Sequence, residues 1–426
     1  MKKFIIATTG TALPVAAVVF FLLQSRGDEG SGGADGHLRD LRSLPYITVS
    51  DGPADDTRVG VTRFLPEKAS PGYNLYADEK HAYLLNMKGE TVQRWDFPDG
   101  DPEWEHVEFA GGGTILAICN GKKIVKLDRD SNLIWSQSHA AHHDIALDPD
   151  GTVLIPVAND HRLYRYRLVE FDSILRLDED GKAAAQWSTF SHLRQLQRLH
   201  PPLELDSAPK TSRLSAALKR FYARRIRDIT SPVYEIDRWI RAAVGLEKFS
   251  YYHLNTVEVL PETALGKADR RFAAGNILAC FRHADLILIL DRGSNEIVWS
   301  WGPGILDWPH MPTQLDCGSI LVYDNGAHRG HSRALEINPV SKEIVWQYRA
   351  DPPEKFFSRT RGSNQRLPNG NTLICESERG RAFEVTPEGE VVWEFYNPDI
   401  RGGKRRLIYR MERIPSERVE SWLENR

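Results

Sequence analysis

The sequence predicts an all-β protein, because one pattern of short strands recurs six times along the 426 residues. Each copy has a turn with glycine, a short apolar strand, a second strand, a polar turn and a strand that ends in tryptophan. The copies recur at intervals of about 40 to 50 residues, which is the spacing of propeller blades. This pattern predicts a closed six-bladed β-propeller, with two stacked sandwich domains as the alternative. The six tryptophans are Trp95, Trp135, Trp187, Trp299, Trp346 and Trp393.

The amino terminus differs in character from the repeats. Lys2 and Lys3 precede an uncharged stretch that ends at Leu23, which is long enough to cross a bilayer core as a helix. This segment can be interpreted as an uncleaved membrane anchor or as a cleaved signal segment. Either interpretation predicts that the body lies outside the cytoplasm, on the periplasmic side if the source is bacterial. The predicted domains are a transmembrane anchor or signal segment over 1–25, a flexible tether over 26–45, the propeller over 46–415 and a carboxyl-terminal tail over 416–426.

One repeat contains an insertion, because the interval from Trp187 to Trp299 is more than twice the others. Within about 188–250, the segments SRLSAALKRFYARRIRDI and VYEIDRWIRAAVGL carry apolar residues at helical spacing. We expect a helical insertion that caps one end of the propeller. A membrane-facing surface, a lid and a contact for a protein partner are the other readings.

The end of the chain predicts how the ring closes. The segment KRRLIYRMERIP has the pattern of a further strand. It could pair with an amino-terminal strand near PYITVS, which would remove the exposed edges of an open ring.

Four cysteines in an exported chain could form disulfides. Alignment of the repeats places Cys119, Cys280 and Cys375 at one strand position in three different blades, which is too far apart for a disulfide. The same alignment places Cys317 in a turn. We therefore expect the three strand cysteines to be small buried side chains.

Histidines recur at one position of the repeats. His106, His143 and His310 lie equally far ahead of equivalent strand positions, and His253 opens the fourth repeat. Equivalent positions in successive blades line one mouth of the central channel, so these imidazoles should converge there. A ring of buried imidazoles indicates a functional site, because each ring needs hydrogen-bond partners.

Three kinds of chemistry fit such a ring. Several histidines could bind zinc or copper, and nearby oxygens of Asp144, Asn255, Asp324 and Asn325 could bind calcium. Arg282, predicted near the same mouth, would instead make a site for a sulfate or phosphate ester, where a neutral imidazole can act as nucleophile. The net charge of −3 gives no field for nucleic acid, and no P-loop or GxSxG motif is present.

An ordered series of motifs resembles the bacterial arylsulfotransferases, six-bladed propeller enzymes that do not use the nucleotide sulfate donor. The resemblance covers roughly residues 70–415, apart from the insertion. This chain has Pro309 and Met311 where the family usually has glutamine and aspartate beside its nucleophile. The matching motifs are HHDIALDPDGTVL, YHLNTVEVL, NILACFR, VWSWG, PHMPTQLDCGSILVYDNG, GSNQRLPNGNTLICES and EVTPEGEVVWEF.

The resemblance implies a sulfotransferase that moves a sulfuryl group from an aryl sulfate to a phenol through a sulfohistidine at His310. It implies no metal and no cofactor. The alternative is a membrane-anchored binding module that keeps the pocket without turnover. The implied catalytic residues are His310, His253, Arg282 and His143, with His142 less favoured than His143, and the expected substrate-binding residues are Asn255, His106 and Asn325.

Overall fold

The structure is a computed structural model that describes residues 57–78, 81–97, 104–119, 123–164, 167–203 and 249–424. The predicted anchor and tether, the PYITVS segment and most of the predicted helical insertion lie outside the described residues. Within the described ranges, no helix is long and apolar enough to span a membrane.

The chain divides into two compact units. The larger contains the described residues of Tyr46–Asn159, Asp172–Pro202 and Tyr252–Arg426, and the smaller contains those of Asp160–Phe171 and Leu203–Tyr251. The strands are β1 (Gly60–Phe64), β2 (Tyr73–Ala77), β3 (His81–Leu85), β4 (Thr91–Asp96), β5 (Trp104–Gly111), β6 (Thr114–Cys119), β7 (Lys123–Leu127), β8 (Leu133–Gln137), β9 (Ala146–Leu147), β10 (Val153–Tyr164), β11 (Arg167–Leu177), β12 (Ala183–Ser188), β13 (Phe249–Ser250), β14 (Leu254–Val259), β15 (Ile277–Phe281), β16 (Leu286–Leu290), β17 (Ile297–Trp301), β18 (Pro309–Gln314), β19 (Ile320–Asp324), β20 (Arg333–Ile337), β21 (Ile344–Tyr348), β22 (Ser363–Arg366), β23 (Thr372–Glu376), β24 (Arg381–Val385), β25 (Val391–Tyr396), β26 (Ile400–Arg401), β27 (Lys404–Arg405) and β28 (Met411–Ile414).

These strands confirm the predicted six-bladed propeller. From the inner strand outward, the blades are β28-β2-β3-β4, β5-β6-β7-β8, β9-β10-β11-β12, β14-β15-β16-β17, β18-β19-β20-β21 and β22-β23-β24-β25, numbered here as blades 1 to 6. In the described part of the chain three short α-helices accompany them: α1 (Leu193–Leu196), α2 (Ala264–Ala268) and α3 (Ser416–Leu423).

Each blade has one strand more than the repeat pattern predicts, on its inner side. In blades 5 and 6 this strand is rich in proline or polar, β18 reading PHMPTQ and β22 SNQR, so it lacks the apolar alternation that identifies a strand. The histidines therefore lie on or directly before the inner strands; His310, in β18, pairs with Tyr323 in β19.

Both chain ends take part in closing the ring. The predicted tail strand is present as β28, which pairs with β2, Ile414 opposite Tyr73, whereas the suggested partner near PYITVS lies outside the described residues. The first repeat supplies three strands of blade 1, and the tail supplies the fourth. In blade 6, the early strand β1 pairs with the outer strand β25 and so adds a fifth strand to that blade.

The repeated tryptophan connects neighbouring blades. In five blades its indole N–H donates a hydrogen bond to a turn carbonyl of the next blade. The bonds are Trp95 to Gly113 (3.0 Å), Trp135 to Glu179 (3.0 Å), Trp299 to Pro339 (2.8 Å), Trp346 to Pro387 (2.8 Å) and Trp393 to Met87 (2.9 Å). In blade 3, no described residue accepts from the indole of Trp187, which stacks on His192 at 4.8 Å between ring centroids.

Apolar side chains fill the spaces between blades. The cluster between blades 1 and 2 includes Trp95, Phe109 and Ile115, all with at most 1 % of their surface exposed. Helix α3 covers this cluster and adds Val419 and Trp422 to it. Each blade thus buries its faces against its neighbours, as expected for a propeller.

We expect Trp299→Phe to destabilise the protein by about 1 kcal/mol more than Trp187→Phe, because only Trp299 loses a hydrogen bond. The two indoles are equally buried, at 4 % and 5 % exposure, so the loss of volume is matched. Urea unfolding of both variants measures the difference. Equal losses of unfolding free energy would show that the indole bond between blades contributes nothing.

The smaller unit includes the distal ends of β10 and β11. Strand β13, from the end of the insertion, pairs parallel to β11, with Val169 opposite Phe249. Phe171 and Tyr251 lie 5.2 Å apart between ring centroids, which anchors this strand. The predicted helical character of residues 204–248 falls outside the described residues.

All four cysteines lie in the described part of the chain, and none forms a disulfide. Cys119, Cys280 and Cys375 are buried in the second strands of blades 2, 4 and 6, whereas Cys317 is exposed in a turn. The sequence prediction for the three strand cysteines is confirmed.

Candidate active site

His310 is held by one ring nitrogen only. Its Nδ1 lies 2.7 Å from Asn325 Oδ1 and 3.2 Å from the Trp308 carbonyl oxygen. Because both neighbours are acceptors, Nδ1 carries the proton and Nε2 keeps its lone pair. Asn325 is fixed in turn, since its amide N–H groups donate to the carbonyls of Ser358 (2.8 Å) and Arg361 (2.6 Å). No described residue offers Nε2 a hydrogen bond, although the atom is buried.

The backbone on both sides of His310 is bonded to neighbouring blades. The Pro309 carbonyl accepts hydrogen bonds from Asn255 Nδ2 (2.8 Å) and Cys280 Sγ (3.2 Å) of blade 4. The Met311 N–H donates to Thr256 Oγ1 at 3.0 Å, and its carbonyl accepts from Asn364 at 3.2 Å. These bonds hold the imidazole in place, although Pro309 and Met311 stand where the family usually has glutamine and aspartate.

A chain of imidazoles joins blades 3 and 4. His253 Nε2 lies 3.0 Å from His143 Nε2, and His143 Nδ1 lies 2.9 Å from His142 Nδ1. His142 Nε2 is 3.4 Å from Asp172 Oδ1. Consecutive rings are almost perpendicular, at 89° and 90°. The predicted pair His143 and His253 is therefore in direct contact.

Arg282 follows β15 and is buried close to these imidazoles, with 6 % exposure. Its backbone N–H donates to the His253 carbonyl at 3.1 Å. Its guanidinium carbon lies 4.6 Å from the Trp308 ring centroid, and Nη2 lies 3.0 Å from His283 Nε2. Stacking on Trp308 fixes the plane of the guanidinium, which presents its N–H groups in a fixed direction.

Burial keeps the site imidazoles neutral. Burial, followed by the positive charge of Arg282, lowers the pKa of His310 to about 3. Burial also lowers the pKa of His143 and His253 well below the usual 6.5, with further contributions from neighbouring imidazoles and Arg282. At neutral pH these rings are therefore uncharged, and His310 has the lone pair that a nucleophile requires.

The backbone around the site is strained. Left-handed backbone conformation costs a residue other than glycine about 1–3 kcal/mol and is concentrated at functional sites. The residues with positive φ here are His143 (68°), His253 (56°), Trp308 (58°), Met311 (47°) and Arg361 (61°).

Blade 6 contributes an arginine instead of a histidine. The repeat position of the histidines is occupied there by Gly362, where an added Cβ would lie 2.6 Å from ring atoms of Tyr323. The preceding residue, Arg361, has its guanidinium carbon 5.6 Å from the Tyr409 ring centroid. Its positive charge contributes to lowering the pKa of His143 and His310, so it belongs to the same electrostatic environment.

Two expected substrate-binding amides have other partners. Asn255 bonds to the Pro309 carbonyl and Asn325 to the His310 ring, so both hold the strand that carries His310. Such residues act by positioning. The third expected substrate-binding residue is His106, which lies in a neighbouring polar group. Its Nε2 is 3.4 Å from Glu108 Oε2, 3.7 Å from Asp144 Oδ1 and 3.4 Å from Arg410 Nη1.

That neighbouring group includes further buried acids on the inner strands. Burial raises the pKa of Glu258 to about 8 and that of Glu412 to about 8. Arg410 lies 3.0 Å from Asp144 and is the positive partner of the group. Among the described residues, no group of three or more histidine, cysteine or acidic side chains has the arrangement of a metal site.

We expect the stability advantage of Glu258→Gln over the wild type to grow with pH. The folded wild type holds a proton on Glu258 up to about pH 8, whereas the unfolded chain loses it near 4.5. Protonated Glu258 therefore stabilises the folded wild type fully below pH 4.5. As pH rises from there through 8, the wild type's free energy of unfolding falls by up to about 1.4 kcal/mol per pH unit, whereas Glu258→Gln loses nothing. Urea unfolding at pH 5, 6.5 and 8 measures it. Parallel curves would contradict a protonated Glu258.

Sequence reasoning missed several residues of the site. Asp172 lies in the third strand of blade 3 and carries no motif, and Tyr409 and Arg410 belong to the tail. Arg361 directly precedes Gly362, the blade 6 residue at the repeat position of the histidines, and the absence of a histidine there was the available signal. Trp308, beneath the Arg282 guanidinium, has no equivalent in the repeat pattern.

These features define a class of protein: a propeller enzyme whose buried imidazoles and guanidinium groups suit an anionic ester. The sequence profile of the arylsulfotransferase (ASST) family matches residues 106–398, more than half of the chain. The chain therefore belongs to the arylsulfotransferase family and is an enzyme of that family. Membership indicates sulfotransferase activity on small aryl molecules.

Several solved structures are distantly similar, and no curated protein matches the sequence. One is a protein of unknown function from Bacteroides caccae, 16 % identical with a TM-score of 0.48, covering 80 % of this chain and 98 % of that one. Another is virginiamycin B lyase from Staphylococcus aureus, 11 % identical with a TM-score of 0.41, covering 81 % of this chain and 89 % of that one. Neither similarity bears on the substrate or the reaction.

Proposed function

We propose that the protein transfers a sulfuryl group from an aryl sulfate to a phenol through a covalent adduct on Nε2 of His310. The observation that supports this most is the state of that ring. Nδ1 is protonated and held by Asn325 at 2.7 Å, while Nε2 is buried, neutral and without a hydrogen bond from any described residue. A neutral, oriented imidazole is a competent nucleophile.

In the first half-reaction, Nε2 of His310 attacks the sulfur of the bound ester. The N–S bond forms as the S–O bond to the aryl group breaks, and the phenolate oxygen leaves with the electron pair. Arg282 and His253 bind the sulfuryl oxygens and stabilise negative charge that grows on the leaving oxygen, while His143, whose two ring nitrogens contact His142 and His253, holds His253 in place. The phenolate then needs one proton.

In the second half-reaction, a phenol occupies the position of the first product. Its oxygen loses a proton and attacks the same sulfur, and the N–S bond breaks with return of the electron pair to Nε2. The proton gained by the first phenol equals the proton lost by the second. The cycle therefore needs a group that lends a proton and takes it back, with no cofactor consumed.

Incubation of the purified protein with 4-nitrophenyl sulfate, with and without phenol, tests the proposal. We expect nitrophenol release that accelerates with phenol, formation of phenyl sulfate, and a mass increase of one SO₃ group on the peptide containing His310. Folded protein that gives neither release nor adduct would overturn the proposal. Binding of the ester without turnover would favour the alternative, a binding module.

The location of the enzyme is part of the same proposal. An uncharged segment that ends at Leu23, after Lys2 and Lys3, supports an extracytoplasmic body held by a membrane anchor. Protease protection of a tagged full chain in intact and lysed cells tests it. Accessibility of the tag only after lysis of the inner membrane would contradict it.

A further inference from the structure

Trp308 links the two principal groups of the active site. The face of its ring carries the Arg282 guanidinium, whose central carbon lies 4.6 Å from the ring centroid. Its carbonyl oxygen accepts the Nδ1–H of His310 at 3.2 Å, beside the bond that the same nitrogen makes to Asn325. A displacement of Trp308 therefore moves the nucleophile and the guanidinium at the same time.

The backbone of Trp308 has a conformation that needs support. Its φ is 58°, in the left-handed region, which costs free energy in a residue other than glycine and persists only where the surrounding structure imposes it. The carboxyl group of Asp285 supplies a bond at this point, because its Oδ1 accepts the Trp308 N–H at 2.8 Å. Asp285 lies between β15 and β16 of blade 4, and Trp308 directly precedes β18 of blade 5, so the bond joins two blades.

Asp285 is itself fixed to the turn that carries Arg282. Its backbone N–H donates to the Arg282 carbonyl at 3.2 Å, and its own φ of 50° ends that turn. The Asp285 carbonyl oxygen packs against Gly302, where an added Cβ would overlap it. The carboxyl group therefore has a fixed position relative to Arg282.

We infer that Asp285 is a positioning residue for the sulfuryl transfer, and that it acts through the N–H of Trp308. That bond fixes the carbonyl that holds His310 and the ring on which Arg282 lies. The inference rests on the proposed function. It adds to the site a residue that lies outside the histidine register and in none of the motifs that resemble the family.

The charge of Asp285 changes within the range of an ordinary assay. Partial burial is the main cause that raises the pKa of Asp285 to about 6; the Trp308 N–H and His328 oppose it, and the neighbouring Asp307 and Asp324 add to it. The carboxylate is therefore present above pH 6 and is lost as pH falls through 6. Because a charged acceptor makes a hydrogen bond about twice as strong as a neutral one, the bond to Trp308 weakens in acid.

The pH dependence of kcat for 4-nitrophenyl sulfate, with phenol as acceptor, tests the inference. In the wild type we expect kcat to fall by roughly fivefold through pH 6 to a second, non-zero level, because a weaker bond displaces both groups slightly and removes neither. Asp285→Asn keeps an oxygen that can accept the Trp308 N–H, but it cannot ionise. Its kcat should equal the lower level of the wild type at every pH from 5 to 7.5, with KM little changed.

Two controls separate Asp285 from its surroundings. Asp316→Asn, in an exposed turn of blade 5, should keep the wild-type profile. His328→Gln should also keep a fall in kcat, because His328 contacts the Trp308 ring edge-on at 5.5 Å between centroids and makes no bond to its backbone. A fall that disappears in His328→Gln and persists in Asp285→Asn would overturn the inference.

The remaining outcomes also decide the question. An active wild type whose kcat is constant from pH 5 to 7.5, or Asp285→Asn with the wild-type profile, would overturn the inference alone. If Asp285→Asn does not fold, the ¹⁹F resonance of Trp308 in His328→Gln labelled with 5-fluorotryptophan replaces it. That resonance should shift through pH 6, and a constant resonance would contradict the role of Asp285. A wild type that forms no adduct overturns the proposed function, whereas the resonance is measured without turnover.

Discussion

His310→Ala is expected to abolish sulfuryl transfer, with a rate decrease of about 10⁴-fold or more, because it removes the atom that carries the group between the two substrates. The mass increase of one SO₃ group should disappear with it. No neighbouring imidazole replaces His310, since His143 is in contact with His253 and His142 through its two ring nitrogens. Nitrophenol release and intact-protein mass spectrometry measure both effects.

The matched control is His81→Ala. His81 lies in β3 of blade 1, and its imidazole pairs with Asp96 at 2.6 Å. This variant should keep both transfer and adduct. Survival of acceptor-dependent release in His310→Ala, with the adduct at another residue, would show that the nucleophile is misassigned.

Arg282→Met is expected to lower kcat by about 10²- to 10³-fold, because the guanidinium is a fixed donor to charge that develops on the sulfuryl and leaving oxygens. The change also removes a positive charge that lowers the pKa of His310. That pKa should rise toward its ordinary 6.5 while burial still keeps it below. Since the neutral ring is lost as pH falls through its pKa, the acidic limb of kcat/KM should move to higher pH than in the wild type.

Rate profiles from pH 4 to 8 separate the two effects. Arg271→Met is the matched control, since that guanidinium is 42 % exposed in its side chain and paired with Asp269 at 2.7 Å. It should leave both kcat and the profile unchanged. A variant at Arg282 with wild-type kcat would place the charge stabilisation elsewhere, and Arg361 would be the next residue to test.

The number of blades could be predicted because a tryptophan ends the outer strand of every blade. In five of the six blades its indole donates to the next blade, so its spacing follows the blade spacing, as at Trp299 and Trp346. The inner strands could not be predicted in the same way. Their polar residues bond to the inner strands of neighbouring blades, as Asn364 Nδ2 does to the Met311 carbonyl, so β22 and β18 show no apolar alternation.

The site was only partly predictable for a related reason. Equivalent positions in a repeat share a location, so the histidine register indicated that His143 and His253 lie near each other. It could not indicate which nitrogen of His310 is held, because Asn325 reaches the ring only through the pairing of β18 with β19. Asp172 was missed because a strand acid is ordinarily solvated, and its bond to the Leu254 N–H forms only where blade 3 packs against the inner strand of blade 4.

The closure of the ring by β28 makes blade 1 the joint product of two distant parts of the chain. Its inner strand is Met411–Ile414, and its other three strands lie between Tyr73 and Asp96. Arg410, which is paired with Asp144, and Tyr409, beside Arg361, directly precede that inner strand. A chain shortened before Tyr409 should therefore lose the closed ring and part of the pocket together.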